Sequence, residues 1–215
     1  MRRRTLIQDR NEAGRLLADR LSAYAGRDDV IVVALPRGGV PVAAAVARRL
    51  DAPLDVLAVV KLGLPGQEEL AIGALGSGGA SFLNPDVIAA ARVAPAELAQ
   101  VVENGQSELA RRDRLYRGDR PALDVQNRTV ILVDDGLATG ATMRVAGRAV
   151  RARSPERVVV AVPVAPRSTL DTLRAEVDEV VCLISPEPFL GVSAWYEEFD
   201  QVGDDTVRAL LAEGP

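Results

Sequence analysis

Residues 129–142 read TVILVDDGLATGAT, and this stretch decides the fold. The run from Thr129 to Val133 is almost entirely apolar, which is typical of a strand buried on both faces. Two carboxylates, a loop of small and hydroxyl-bearing residues and a helical pattern follow directly. Buried strands that alternate with helices indicate a mostly parallel sheet. Because such sheets bind ligands at the carboxyl ends of their strands, we expect function where this strand ends.

Further apolar runs repeat this pattern and predict the rest of the sheet. The predicted strands are residues 30–35, 54–60, 71–75, 80–83, 129–133, 158–164 and 179–184. The predicted helices cover residues 9–26, 95–116, 140–153, 167–177 and 204–211, with one more through Val42, Val46 and Leu50. Glycines at 76, 78 and 79 predict that the strands 71–75 and 80–83 form a hairpin. The predicted fold class is α/β, a mostly parallel, doubly wound sheet flanked by helices.

Composition excludes several classes of protein. The chain has 215 residues, of which 48% are hydrophobic and 26% charged, so global disorder is excluded. One cysteine and no histidine exclude a disulfide framework, a multi-thiolate zinc site and every histidine-based catalytic triad. A net charge of −4 and short apolar runs argue against a nucleic-acid or membrane partner. We expect one domain over residues 1–215 in a soluble cytoplasmic protein.

The residues after the predicted strand 129–133 have the parts of a phosphate cradle. Gly140 permits close backbone approach, Thr139 and Thr142 supply hydroxyls, and a helix N-terminus presents free N–H groups. Two acids beside such a cradle, Asp134 and Asp135, suit the hydroxyls of a sugar or a nearby metal ion. The alternative is that the acids only form a solvated turn and helix cap.

Residues 130–142 resemble the phosphoribosyl pyrophosphate-binding signature of the type I phosphoribosyltransferases, and match neither a Walker loop nor a GxGxxG pattern. Residues 35–41, LPRGGVP, resemble the pyrophosphate loop of that family, and Lys61-Leu62-Gly63 resembles the basic residue after its second core strand. Gly136 departs from the pattern, since many members carry valine there. The resemblance extends over most of the chain.

The resemblance implies transfer of ribose 5-phosphate from phosphoribosyl pyrophosphate to a nitrogen acceptor such as a nucleobase, with Mg²⁺ as cofactor. It implies that Asp134 and Asp135 hold the ribose hydroxyls and that Lys61 stabilises the departing pyrophosphate. The implied pyrophosphate ligands are Arg37, Gly38 and Gly39, and the implied 5-phosphate ligands are Leu137, Ala138, Thr139, Gly140, Ala141 and Thr142.

The resemblance also implies a mobile loop within residues 62–120 and a cis peptide bond between Pro36 and Arg37. No side chain is expected to bind Mg²⁺ directly, although the two acids could reach it through ribose hydroxyls or water. We further expect a homodimer. The basic stretch from Arg111 to Arg117 is either a solvated helix face or a phosphate contact.

Aromatic residues are concentrated near the C-terminus. Of the seven in the chain, Phe189, Trp195, Tyr196 and Phe199 lie within eleven residues. They predict a small hood over residues 186–203, in which Trp195 and Tyr196 stack on the acceptor. The alternative is a satellite hydrophobic cluster or a dimer contact.

Two other functions fit the same residues. A non-catalytic regulator could bind phosphoribosyl pyrophosphate without turnover, and a hydrolase could use water as the acceptor. The sequence does not separate these alternatives from the transferase.

Lys61 is the only lysine among 26 basic residues, so a chain rich in arginine has kept a compact ammonium group at one position. We predict that Lys61→Arg lowers kcat/KM roughly tenfold, which corresponds to about 1.4 kcal/mol of transition-state stabilisation. Steady-state kinetics measure this, and the melting temperature should stay unchanged. Full activity in Lys61→Arg would mean that positive charge alone suffices; full activity in Lys61→Ala would remove the residue from the site.

Overall fold

The computed structural model describes residues 6–64, 66–77, 79–118 and 124–213. Its strands are β1 (Val30–Ala34), β2 (Leu54–Val56), β3 (Val59–Leu64), β4 (Gln67–Gly76), β5 (Ala80–Leu83), β6 (Thr129–Val133), β7 (Arg157–Val164) and β8 (Glu179–Ile184). Its helices are α1 (Arg10–Arg20), α2 (Gly39–Leu50), α3 (Pro85–Ala90), α4 (Pro95–Arg117), α5 (Ala141–Arg151), α6 (Arg167–Arg174) and α7 (Asp204–Ala212). None of the helices in the described ranges is long and apolar enough to cross a membrane.

The main sheet has five parallel strands in the order β2-β1-β6-β7-β8. One hydrophobic core, which includes residues of α1, α2 and α7, covers one face, and a second core, which includes residues of α5 and α6, covers the other. The predicted fold class is therefore confirmed. Ala34 lies opposite Val133 in the register, so β1 and β6 end side by side and their loops begin at the same level.

The predicted strand over residues 54–60 is wrong, because the chain changes sheets within it. β2 ends at Val56, the Leu57 amide donates to the Ala34 carbonyl at 3.0 Å, and β3 begins at Val59 in a separate sheet. That sheet is antiparallel, in the order β3-β4-β5, and contains the predicted hairpin. Lys61 therefore lies inside β3 and does not follow a strand of the main sheet. The continuous apolar run over residues 54–60 does not reveal the change of sheet, because the residues are buried in both sheets.

The second sheet is attached where it leaves the first. Ser77, at the end of β4, donates its backbone amide to the Ala58 carbonyl at 3.0 Å, and its hydroxyl accepts from the Ala58 amide at 3.0 Å. The same hydroxyl bonds the Asp113 carboxylate of α4 at 2.5 Å. Arg117 pairs with Asp55 at 2.6 Å, and both side chains are largely buried. These contacts fix one end of the second sheet to β2 and α4.

Two arginines of the basic stretch in α4 pair with a glutamate of the same helix. Arg111 and Arg112 both pair with Glu108 at 2.7 Å, and Arg112 also donates to the Val59 carbonyl. The mobility expected within residues 62–120 stays a prediction, and residues 65, 78, 119 and 120 of that range lie outside the described residues.

Two helical glycines offer a matched test of how closely α1 packs on α2. A Cβ at Gly14 would lie 2.4 Å from the Val42 carbonyl oxygen, whereas one at Gly147 would meet only Val177, at an ordinary 3.5 Å. We predict that Gly14→Ala destabilises the protein by ~1–3 kcal/mol through overpacking. Gly147→Ala should stabilise it by about 0.5–1 kcal/mol, since alanine favours helix. Urea unfolding compares the two, and equal effects would contradict the packing argument.

Candidate active site

The first part of the site is the turn between β1 and α2. The Leu35 amide donates to the Val133 carbonyl at 2.9 Å, which keeps the chain beside β6 for one residue after β1 ends. The peptide bond between Pro36 and Arg37 is cis, as the family resemblance implies. The Gly39 amide then donates to the Leu35 carbonyl at 3.1 Å and α2 begins. The turn thus brings the two glycines of the predicted pyrophosphate loop over the end of β6.

Gly38 and Gly39 lie directly against the acidic pair. A Cβ at Gly38 would lie 2.0 Å from Oδ2 of Asp135 and 2.6 Å from its Cγ. A Cβ at Gly39 would lie 2.7 Å from the Val133 carbonyl oxygen and 2.9 Å from Cα of Asp134. All four distances are shorter than side-chain carbons tolerate. At Gly39 the obstructing atoms are backbone, so only glycine fits there; at Gly38 a side chain would have to displace the Asp135 carboxylate. The two predicted ligand loops are therefore one packed unit.

The two carboxylates have different partners. Oδ1 of Asp134 accepts the backbone amide of Asp135 at 2.9 Å. Oδ2 of Asp135 accepts a hydrogen bond from Nε of Arg10 at 2.9 Å and forms an ion pair with its Nη2 at 2.9 Å, and the Asp135 side chain is only 16% exposed. Burial raises the pKa of Asp134 well above its ordinary value, and the neighbouring Asp135 charge adds to this increase. Burial also raises the pKa of Asp135, but Arg10 opposes that shift.

The loop from Leu137 to Gly140 is hydrogen-bonded to β7 and α6 on its buried side. The Leu137 amide donates to the Val164 carbonyl at 2.9 Å, and the Thr169 hydroxyl of α6 donates to the Ala138 carbonyl at 2.7 Å. Gly140 has φ +71°, and a Cβ there would lie 2.7 Å from Cγ2 of Thr169. Both the backbone conformation and the close approach therefore require glycine at this position.

The opposite side of this loop faces solvent. The Thr139 hydroxyl accepts the Ala141 amide in a long hydrogen bond of 3.4 Å at the start of α5. The exposed residues are Ala138, Thr139, Ala141 and Thr142. Amide groups at the start of a helix, two hydroxyls and the positive end of the helix dipole can bind an anion here.

Gly136, the departure from the family pattern, also has a structural reason. Its φ is +152°, and a Cβ there would lie 2.5 Å from Cγ1 of Val192 and 3.0 Å from Cγ1 of Val164. Val192, from the predicted hood, occupies the space that a side chain at residue 136 would fill. We infer that the Val192 side chain takes the place of the valine that many family members carry at the position of Gly136.

The two predicted basic ligands lie on different elements. Nη1 of Arg37 is 3.7 Å from Oδ1 of Asp204 at the start of α7, and the Tyr116 hydroxyl donates to the same oxygen at 2.7 Å. Lys61, from the second sheet, lines a cavity of about 160 Å³ that also includes Thr142 of α5. The structure thus brings Lys61 to the exposed start of α5, and a joint action of Arg37 and Lys61 on one ligand stays a prediction.

Trp195 and Tyr196, which belong to the predicted hood, are buried in the core. Their exposed fractions are 9% and 5%, and both belong to the core cluster that also contains residues of α1 and α2. The Tyr196 hydroxyl donates to the backbone carbonyl of Asp135 at 2.7 Å. Stacking of these rings on an acceptor stays a prediction; the contact of Tyr196 with the acidic pair is made by its hydroxyl.

Comparison with known proteins gives the family. A family model described as the phosphoribosyl transferase domain matches residues 7–198. The chain belongs to this family. Two Mycobacterium tuberculosis proteins, MT0597 and Rv0571c, which carry a provisional phosphoribosyl transferase name, are each 45% identical to it over 206 residues. Those residues are 96% of this chain but 46% of each relative, so this chain spans about half the length of the curated relatives it matches.

A solved structure gives the same architecture. The protein TT1426 from Thermus thermophilus is 44% identical to this phosphoribosyl transferase family member, with a TM-score of 0.84. The match covers 97% of this chain and 98% of the other. The fold extends over almost the whole of both chains.

Sequence reasoning missed Arg10 and the backbone contact of Tyr196. Arg10 lies 125 residues from Asp135 and is one of 25 arginines, so neither spacing nor composition singles it out. Tyr196 was predicted near the site for its ring, whereas its hydroxyl makes the contact. Both depend on the packing of distant segments, which a local motif does not report.

The raised pKa of Asp134 predicts that this residue destabilises the fold at neutral pH. A carboxyl that binds its proton more tightly when folded favours the folded state below its ordinary pKa of 3.8, and this advantage is lost as pH rises toward the folded value. We predict that Asp134→Asn raises the melting temperature at pH 7 by about 2–4 °C, the shift expected for ~1 kcal/mol.

Thermal melts at pH 4 and pH 7 check this expectation, because the gain should shrink at pH 4. Asp28→Asn, at an exposed position, is the matched control and should change little at either pH. A gain for Asp134→Asn that is equal at both pH values would contradict an electrostatic origin.

Proposed function

We propose that the chain transfers ribose 5-phosphate from phosphoribosyl pyrophosphate to a nitrogen acceptor and releases pyrophosphate. The observation that carries this proposal is the packing of Gly38 and Gly39 against Asp134 and Asp135, beside the exposed start of α5. One compact edge of the sheet thereby offers donors for two anionic groups and acceptors for the hydroxyls between them. Family membership supports the same assignment.

The reaction would proceed at the anomeric carbon of the ribose. The bond from that carbon to the pyrophosphate oxygen breaks, and its electron pair leaves with pyrophosphate. A new bond to the acceptor nitrogen forms, and the acceptor gives up its proton. The chain would contribute mainly positioning and charge stabilisation, and these need no histidine.

Each group of residues has one proposed role. The backbone amides of residues 138–142 and the hydroxyls of Thr139 and Thr142 hold the 5-phosphate, because a helix N-terminus favours an anion. The Leu137 amide already donates to the Val164 carbonyl. Asp134 and Asp135 accept hydrogen bonds from the ribose hydroxyls. Arg37, the Gly38 amide and Lys61 stabilise the charge that develops on pyrophosphate, whereas the Gly39 amide already donates to the Leu35 carbonyl.

Mg²⁺ is part of the proposal, and the donors present fit a limited role for it. Mg²⁺ prefers oxygen ligands and usually keeps several waters or substrate oxygens. Within the described ranges, no three His, Cys, Asp or Glu side chains cluster to hold a metal. We propose that substrate oxygens supply most of the ligands of the ion, which Asp134 and Asp135 would reach through ribose hydroxyls or water. When bound, it would supply charge neutralisation for the pyrophosphate.

A hydrolase that uses water as the acceptor is the second candidate. The burial of Trp195 and Tyr196 favours it, since neither ring is exposed for stacking on a flat acceptor. A regulator that binds without turnover stays the third possibility. We also propose a homodimer in the cytoplasm, for which sedimentation is the direct test of assembly.

An assay of pyrophosphate release tests the proposal. The protein is incubated with phosphoribosyl pyrophosphate, Mg²⁺ and a panel of purine and pyrimidine bases. Release that depends on one base supports a transferase, release without any base supports the hydrolase, and binding without release supports the regulator. Absence of both binding and release would contradict all three.

Calorimetry on variants tests the residue roles. Asp134→Asn combined with Asp135→Asn should weaken phosphoribosyl pyrophosphate binding by at least ~2 kcal/mol, because hydrogen bonds to charged groups contribute about 1.5–3 kcal/mol each. Thr139→Val should weaken ligands that carry a 5-phosphate and leave pyrophosphate binding unchanged. Unchanged affinity in the folded double variant would reduce the acidic pair to a turn.

A further inference from the structure

Arg10, at the start of α1, reaches across the molecule to the acidic pair. Its Nε donates a hydrogen bond to Oδ2 of Asp135 at 2.9 Å, and its Nη2 forms an ion pair with the same oxygen, also at 2.9 Å. The Arg10 side chain is 12% exposed, so this ion pair is screened by little water. A largely buried pair of this kind fixes geometry more firmly than a surface pair does.

Two further contacts hold the guanidinium itself. Its Cζ lies 3.9 Å from the ring centroid of Phe199, a cation–π contact. Its Nη1 donates to the Asp200 carbonyl at 2.7 Å. The Phe199 ring in turn contacts Tyr196, with 4.8 Å between centroids. Arg10 therefore has one face on an aromatic ring and its donors on two fixed oxygens, which leaves it a single orientation.

The C-terminal segment also bonds the backbone of Asp135, and it is joined to the residues just before α1. The Tyr196 hydroxyl donates to the Asp135 carbonyl at 2.7 Å. The Ile7 amide donates to the Trp195 carbonyl at 3.0 Å, and the Glu197 amide donates to the Ile7 carbonyl at 2.9 Å, which joins the two segments. Asp135 is thus gripped at its carboxylate from the N-terminal helix and at its carbonyl from the C-terminal segment.

We propose that Arg10 is a positioning residue for Asp135, which it holds in one orientation against the Gly38 backbone so that the ribose of phosphoribosyl pyrophosphate meets a preset acceptor. The inference rests on the proposed function. It adds a residue outside the predicted signature and gives the aromatic segment a role in supporting the site through Arg10.

The electrostatics of the pair agree with this role. Two adjacent carboxylates repel each other, and one of them tends to take up a proton. Burial raises the pKa of Asp135 and Arg10 opposes that rise, whereas burial and the neighbouring Asp135 charge together raise the pKa of Asp134 strongly. Arg10 therefore favours the ionised form of Asp135, the acid that it contacts.

Binding and kinetics of three arginine variants test the proposal in the full chain. Arg10→Gln should weaken phosphoribosyl pyrophosphate binding about tenfold or more and raise its KM, with the acceptor's KM unchanged. Arg10→Lys keeps the charge but lacks the planar guanidinium that contacts Asp135, Phe199 and Asp200 together, so it should recover part of the affinity. Arg15→Gln removes an equal charge from an exposed position of α1 and should leave binding within about twofold of the unaltered protein.

A double-mutant cycle separates positioning from a general structural effect. In an Asp135→Asn background, Arg10→Gln should cost less than about twofold in affinity, because the group it positions is already gone. An equal cost in both backgrounds would overturn the proposal, as would unchanged binding by Arg10→Gln. If Arg10→Gln fails to fold, the same cycle run with Arg10→Lys decides in the same way.

The two proposals fail differently. If the unaltered protein does not bind phosphoribosyl pyrophosphate with Mg²⁺, the proposed function is wrong and the role of Arg10 falls with it. If the unaltered protein binds and the arginine variants bind equally well, only the role of Arg10 is overturned.

Discussion

The contact between the Gly38–Gly39 backbone and the Asp134–Asp135 pair is the constraint on which the rest of the site depends. It requires β1 and β6 to be neighbours and to end at the same level, which the register of Ala34 opposite Val133 provides. It also requires two residues without side chains, since a Cβ at either glycine would overlap the acidic strand end. Sheet order, register and local sequence therefore agree at one point, as expected of a sequence that specifies one structure.

That contact creates an electrostatic difficulty which other segments relieve. Packing glycine backbone over two acids excludes water from them, and this raises the pKa of both carboxyls. Arg10 supplies a hydrogen bond and an opposite charge to the Asp135 carboxylate, and Tyr196 bonds the Asp135 backbone carbonyl, both from segments far away in the chain. The helix α1 and the C-terminal aromatic segment therefore contact this sheet edge through polar bonds to Asp135 as well as through the apolar surface that they bury together.

The sequence predicted the parts of the structure that depend on local patterns. The strand Thr129–Val133, the loop after it and the hairpin of the second sheet follow from apolar runs and turn residues close in the chain. The strand predicted over 54–60 was wrong because its residues are buried in two different sheets, and burial leaves the same apolar signature in both. Arg10 and the role of the Tyr196 hydroxyl could not be predicted, since each depends on contacts between distant segments.

The change of sheet after Val56 gives Lys61 its position. In β3, Val60, Leu62 and Leu64 pack in a core cluster together with a residue of α4, whereas Val59 belongs to the cluster shared with α5. Side chains alternate across a strand, so Lys61 lies on the same face as Val59. That face lines the cavity that includes Thr142 at the start of α5. A strand of the main sheet would have placed this ammonium group beside β1. The second sheet brings it instead to the exposed start of α5, from an element that is not part of the parallel sheet.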